Sequence, residues 1–97
     1  MKDQVNAAVQ VLPQSRVKHI YDIVDEAIDE IKRSGIRFQV CPFETVVEGD
    51  FDEVVALIGK IKARCFAAGA DDVLINIKIQ ARKDGMVTIE EKMNKYK

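Results

Sequence analysis

Phe43-Glu44-Thr45-Val46-Val47-Glu48-Gly49-Asp50 reads as a strand that runs straight into a helix. Thr45 and Val47 fall on one side, and Glu44, Val46 and Glu48 on the other, the period of two that defines a strand over 44–49. Asp50-Phe51-Asp52-Glu53 follows at once, with acidic residues suited to the positive end of a helix dipole. Asp50 with Glu53 resembles a capping box, with Asp in place of Ser or Thr. Just upstream, 36–41 predicts another strand, with Phe38 and Val40 on one side and Arg37, Gln39 and Cys41 on the other. Pro42 ends it, and the short Pro42-Phe43 link allows a hairpin.

Upstream of this hairpin, Val5, Ala7, Val9 and Val11 alternate with Asn6, Ala8, Gln10 and Leu12, a strand closed by Pro13. Ser15 is placed to cap a helix over 17–34, where Val17, Ile20, Tyr21, Val24, Ala27, Ile28 and Ile31 share a face. Gly35 stands where a left-handed C-terminal cap belongs. Downstream, Phe51, Val54, Val55, Ile58, Ile61, Lys62 and Cys65 trace one face of the second helix, which Gly69 ends. Val73, Ile75, Ile77 and Ile79 form the apolar face of a fourth strand, with Leu74, Asn76, Lys78 and Gln80 opposite. Lys83-Asp84-Gly85 predicts a turn, and Thr88 with Glu91 a capping box that opens a short last helix carrying Ile89, Met93 and Tyr96 on one side.

The order is β-α-β-β-α-β plus a terminal helix. That is the split βαβ, ferredoxin-like pattern, an α+β fold in which both main helices cover one face of an antiparallel sheet. The 97 residues suit one such domain over 1–97.

Composition narrows the function. Fifteen Lys and Arg against sixteen Asp and Glu leave a net charge of −1, which lacks the basic face nucleic acid demands. A charge so near zero also favours self-association. Cys41 and Cys65 lack metal-site or redox spacing and read as small apolar residues in a reducing compartment, so a cytoplasmic protein is expected. The early apolar run, residues 7–12, is too short to span a bilayer, and no membrane association is expected. His19, the only histidine, reads as a surface residue beside the helix stripe.

Alternation gathers Asn6, Ala8, Gln10, Leu12, Arg37, Gln39, Cys41, Glu44, Val46, Glu48, Leu74, Asn76, Lys78 and Gln80 on the sheet face away from the helices. Amides mixed with aliphatics suit a partly buried surface with specific hydrogen bonds, facing a ligand or another subunit. Glu44 and Glu48 sit about 13 Å apart along a strand, too far to share one proton as a catalytic pair.

Ala8-Val9-Gln10-Val11-Leu12-Pro13, Thr45-Val46-Val47-Glu48-Gly49, and Ala68-Gly69-Ala70-Asp71-Asp72-Val73 followed by Ile77-Lys78-Ile79 resemble, in order and spacing, the YkoF-like thiamine-binding family. The resemblance implies a ferredoxin-like fold assembled as dimers of dimers or as fused double domains, and so self-association of this chain as a dimer or tetramer. It also implies non-catalytic binding of thiamine, vitamin B1, or its hydroxymethylpyrimidine part, as ligand rather than cofactor. Carried across, it implies that Gln10, Pro13 and Ser15 line the site from the first strand and turn, and Thr45 and Glu48 from the third strand. The family's turn after the proline often holds glycine where this chain has Gln14. Thr45 and Glu48 fall on opposite faces, so both reach one ligand only if a bulge re-aims one of them. Thiamine joins a cationic thiazolium to a flat aminopyrimidine. Glu48 or Glu44 can accept from its amino group or offset its charge, Asn76 can hydrogen-bond a ring nitrogen, and Phe43 or Phe38 can stack on a ring. Phe38 alternates with Val40 and reads more simply as core.

Three other readings use the same chain. An acylphosphatase-like enzyme needs a glycine-containing phosphate loop near Arg16, which 14–18 lacks. An RNA-binding domain of this fold needs aromatics on the open face, where Asn6, Gln10, Glu44 and Glu48 stand instead. An oligomeric regulatory module for another metabolite or a protein partner is the alternative.

Overall fold

The computed structural model describes residues 3–96. In chain order the elements are β1 (Gln4–Gln14), α1 (Ile20–Arg33), β2 (Arg37–Val40), β3 (Thr45–Asp50), α2 (Phe51–Ala67), β4 (Asp72–Gln80) and α3 (Ile89–Met93), which a 3-10 turn, Asn94–Tyr96, extends. The sheet order is β2-β3-β1-β4, every neighbouring pair antiparallel. This is the ferredoxin-like arrangement expected from the element order.

The central strand β1 turns Val5, Ala7 and Val9 towards the helices, where they meet Val47 of β3 in one buried cluster. α1 contributes Ile23, Ala27 and Ile31 to it, and α2 Val54, Leu57, Ile61 and Cys65. Each helix buries part of the stripe expected, Ala27 and Ile31 in α1 and Val54, Ile61 and Cys65 in α2, with one position added to each. Val17 and Tyr21 are exposed, as are Val55 and Lys62, while Ile23 and Leu57 are buried. α1 also begins later than expected. Ser15 does not cap it: its Oγ accepts from the N–H groups of Val17 and Lys18 and donates to the Gly69 carbonyl, holding residues 15–18 in a turn. His19 is the N-cap, its Nδ1 accepting from Tyr21 N–H at 3.2 Å. Val17 therefore stands outside the helix.

Asp50 occupies the N-cap position of α2 but makes no side-chain capping bond. Its carboxylate accepts instead from Asp3 N–H at 3.1 Å, fastening the start of β1 to the end of β3. At the other end of α2, Gly69 N–H donates to Phe66 and Ala70 N–H to Cys65, the paired bonds of a Schellman cap, with Gly69 at φ 111°. Across the two helices Arg64 bridges Glu26, Asp29 and Glu30, at 2.9 Å to Asp29. Ile77 and Ile79 were expected inside; they point to the helix side but stay over a third exposed, because β4 is an edge strand whose far half the helices do not cover. No helix among the described residues is long and apolar enough to cross a membrane.

Candidate ligand site

The strand registers set the open face in rows. Arg37, Glu48, Asn6 and Gln80 form one row across β2, β3, β1 and β4, and Gln39, Val46, Ala8 and Lys78 the next. Gln10 and Asn76 pair beyond them, the Asn76 amide donating to Gln10 Oε1 at 3.1 Å. The face read from alternation is therefore the face the sheet presents.

This face is not bare. After β4 the chain turns at residues 83–85 and lays its last segment back over the sheet. Val87 is buried, and its carbonyl accepts from Asn6 Nδ2 at 3.2 Å. The Thr88 hydroxyl caps α3 by accepting from Glu91 N–H at 3.1 Å. The Glu91 side chain, which a full capping box would turn back to Thr88, pairs with Arg82 instead. Ile89 N–H donates to Glu48 Oε1 at 2.6 Å. Between this segment and the sheet lies a cleft of about 420 Å³. Ala8 and Val46 supply apolar lining from the sheet and Ile89 and Met93 from α3, with Gln39, Lys78 and Gln80 as polar lining. Such a volume suits a small organic molecule, and an apolar lining with a few amides orients one. Glu44, also in the lining, lies 3.9 Å from Lys78 Nζ.

The seven residues predicted for the site divide among three places. Gln10, Asn76 and Glu48 are on the open face, the first two bonded to each other and the third to Ile89. The Glu48 side chain is only 9% exposed and also faces Arg37 at 3.8 Å. Thr45 is buried on the helix side. With Phe43, which is 83% exposed in the hairpin turn, it borders a smaller groove of about 180 Å³ beside α1. Pro13 and Ser15 lie at the far end of β1, by Gly69. β3 runs in regular register through both Thr45 and Glu48, so no bulge brings them together. The residues that sequence reasoning missed are those of the terminal helix. Its capping box and one-sided Ile89 and Met93 announced an amphipathic element, but not the surface it would cover.

Thr45-Val46-Val47-Glu48-Gly49 thus has a structural reading of its own. Glu48 ties down the terminal segment. Gly49 lies where an added Cβ would come within 3.2 Å of Ile36 Cγ2, so a side chain there would make Ile36 give way by a few tenths of an ångström. Elsewhere, burial pushes the Cys65 thiol pKa up. The hydrogen bond from Arg64 holds the Asp29 carboxyl below its usual value despite partial desolvation, with Arg33 adding to the effect.

A four-stranded ferredoxin-like sheet with a cleft between its open face and a terminal helix defines a class of small α+β domains. The family described as thiamine-binding protein matches residues 7–97, and the chain belongs to that family. It is 36% identical to a UPF0045 protein of Clostridium perfringens over 98% of this chain and 99% of that one. Among solved structures, a domain of unknown function, DUF77, from Bacillus cereus superposes with a TM-score of 0.96 at 38% identity, covering 100% of this chain and 93% of that one. A putative thiamine biosynthesis/salvage protein from Thermotoga maritima superposes with a TM-score of 0.86 at 29% identity, covering 97% and 99%.

Proposed function

We propose that this protein binds thiamine, or its hydroxymethylpyrimidine moiety, without transforming it, and that the cleft under α3 is the seat. The observation that carries the reading is that cleft, in a chain of the thiamine-binding protein family. An aminopyrimidine is flat, apolar on its faces and polar at its edges. Ala8, Val46, Ile89 and Met93 offer apolar contact to the faces, and Gln39 and Gln80 offer donors and acceptors to the edges. Glu44 supplies a carboxylate that can turn from Lys78 towards the thiazolium. Binding without chemistry is supported by the state of the nucleophile and base candidates: Cys65 is buried, Cys41 in the cleft lining donates to the Gln39 carbonyl rather than to a base, and the single histidine, His19, has its Nδ1 in a helix cap.

The protein works in this reading as a homo-oligomer, dimer or tetramer, in the cytoplasm. The partly exposed Leu74, Ile77 and Ile79 on the unpaired edge strand β4 support self-association, and the free cysteines suit a reducing compartment. Titration calorimetry with thiamine and with hydroxymethylpyrimidine tests the reading. Micromolar or tighter binding, at one site per subunit or per subunit pair, is expected; no heat with either ligand removes it. A regulatory module that recognises a protein through the same β4 edge is the second reading, and binding of neither compound would favour it.

A further inference from the structure

The charges around the cleft do not suit a bare cation. Its lining holds three charged side chains, Glu44, Lys78 and Lys92, so the cleft as a whole is positive. Glu44 is already opposed by Lys78 Nζ at 3.9 Å. Lys92, in the last turn of α3, makes no ion pair among the described residues. Glu48, the other carboxylate of the open face, lies outside the lining, accepts from Ile89 N–H and faces Arg37. A thiazolium on its own would therefore meet one neutralised carboxylate and a spare ammonium, a balance that repels it.

The floor and the mouth of the cleft differ in kind. The central strand β1 supplies the floor with Asn6, Ala7 and Ala8, and Asn6 is 3% exposed. Its Nδ2 donates to the Val87 carbonyl at 3.2 Å, so turning the amide over would set two oxygens against each other. The amide is therefore fixed, and Asn6 Oδ1 is left buried with no hydrogen-bond partner among the described residues. A fold rarely keeps a buried acceptor without a donor, and this one calls for a ligand edge that carries an N–H. Lys78 and Lys92 are exposed and stand at the mouth. A molecule that fits this layout has a donor at its inner end and a negative charge at its outer end.

We infer that the cleft takes its ligand as a phosphate monoester, with the ring inward on Asn6 and the phosphate at the mouth against Lys78 and Lys92. This rests on the thiamine reading above and specifies the form of the ligand. A phosphate monoester carries about −1.5 to −2 at pH 7, which outweighs the single positive charge of a thiazolium. Thiamine monophosphate is thus a zwitterion of net negative charge, and the cleft offers its complement, one carboxylate and two ammonium groups. Binding becomes an exchange of ion pairs: Lys78 leaves Glu44 for the phosphate, and Glu44 turns to the thiazolium. The Lys78 side chain is 81% exposed, so the pair it gives up is a weak one. α3 keeps its place throughout, with Ile89 and Met93 as the wall against the ring.

Titration calorimetry on the full chain, with thiamine, thiamine monophosphate and inorganic phosphate in low and high salt, tests this. At low salt the monophosphate should bind about tenfold more tightly than thiamine, the scale of one charge-assisted hydrogen bond, and the preference should shrink as salt is added. Inorganic phosphate, which does not reach Asn6, should bind about tenfold or more weakly than the ester. Lys92→Met should remove most of the preference for the ester over thiamine, and Lys92→Arg should keep it. Equal affinity for ester and thiamine, a preference indifferent to salt, or one that survives Lys92→Met overturns the inference while leaving the thiamine reading in place. Inorganic phosphate binding as tightly as the ester would make the lysines a general anion patch and overturn it too. Absence of binding by both thiamine and its monophosphate overturns both readings.

Discussion

Gly49→Ala should destabilise the fold by about 1 kcal/mol, and the cost should reside in one contact. The added methyl would stand 3.2 Å from Ile36 Cγ2, with Ile36 Cγ1 at 3.7 Å and Val54 Cγ2 at 3.8 Å, so only the first must give way. Ile36 has little room to move. It is buried, and its N–H is tied to Ser34 Oγ at 3.1 Å. Overpacking of this kind costs about 1–3 kcal/mol. Against that, Gly49 has no positive φ, so alanine is unstrained there and gains about 0.4–1 kcal/mol from a less flexible unfolded chain. The balance, about 0.5–2 kcal/mol, corresponds to a fall in Tm of roughly 4–8 °C per kcal/mol for a domain of this size. Guanidinium denaturation of Gly49→Ala, alone and in an Ile36→Ala background, measures it. Ile36→Ala removes the opposing methyl, so Gly49→Ala should cost nothing there, or stabilise slightly. Equal costs in the two backgrounds would refute the steric account of this glycine.

Ala8→Phe, which puts a ring into the cleft lining, should weaken thiamine binding by more than about tenfold, while Thr45→Val on the other face should change it by less than about twofold; calorimetry on the pair separates the two faces. Cys65→Ser should lower stability by about 1–3 kcal/mol in denaturant melts, since it buries a hydroxyl among aliphatic side chains. The raised thiol pKa of Cys65 means the folded state holds its proton where the unfolded state has lost it, so stability should fall as pH rises beyond the ordinary thiol value and Cys65→Ala should flatten that limb. Asp29 shifts the other way: its lowered pKa contributes stability that is full above the ordinary aspartate value and is lost as pH falls from there through the lowered folded-state value, and Arg64→Met should shrink this acid limb in a pH series of Tm values.

The fold was legible because its signals are local. Alternation in 5–12, 36–41, 44–49 and 73–80 and the break at Pro42 give strands and hairpin without tertiary information, within two residues of the observed bounds. The open face followed from the same parity. Helix faces were harder to assign. In α1 the expected face held Ala27 and Ile31, which are buried, but it ran on through Ile20 and Tyr21, which are exposed, and left out Ile23, which is buried. Site residues on one strand can be assigned to a face, but their partners cannot be inferred. Glu48 looked free to meet a ligand because Ile89, 41 positions away, leaves no trace near it in the sequence. Asn6 was placed on the correct face, yet its fixed amide and orphaned oxygen depend on Val87.

The unequal lengths of the strands have a mechanical consequence. β1 pairs with β3 only as far as Val9, but with β4 to Gln14. Beyond Val9 the sheet narrows to a two-stranded ribbon, and ribbons coil more steeply than full sheets. The facing Leu12 and Leu74, both exposed, ride on that ribbon, beyond the rows that line the cleft. A neighbouring copy gripping this overhang would hold the molecule by a handle and leave the cleft mouth clear, so that quaternary contacts and ligand entry could vary independently over evolution.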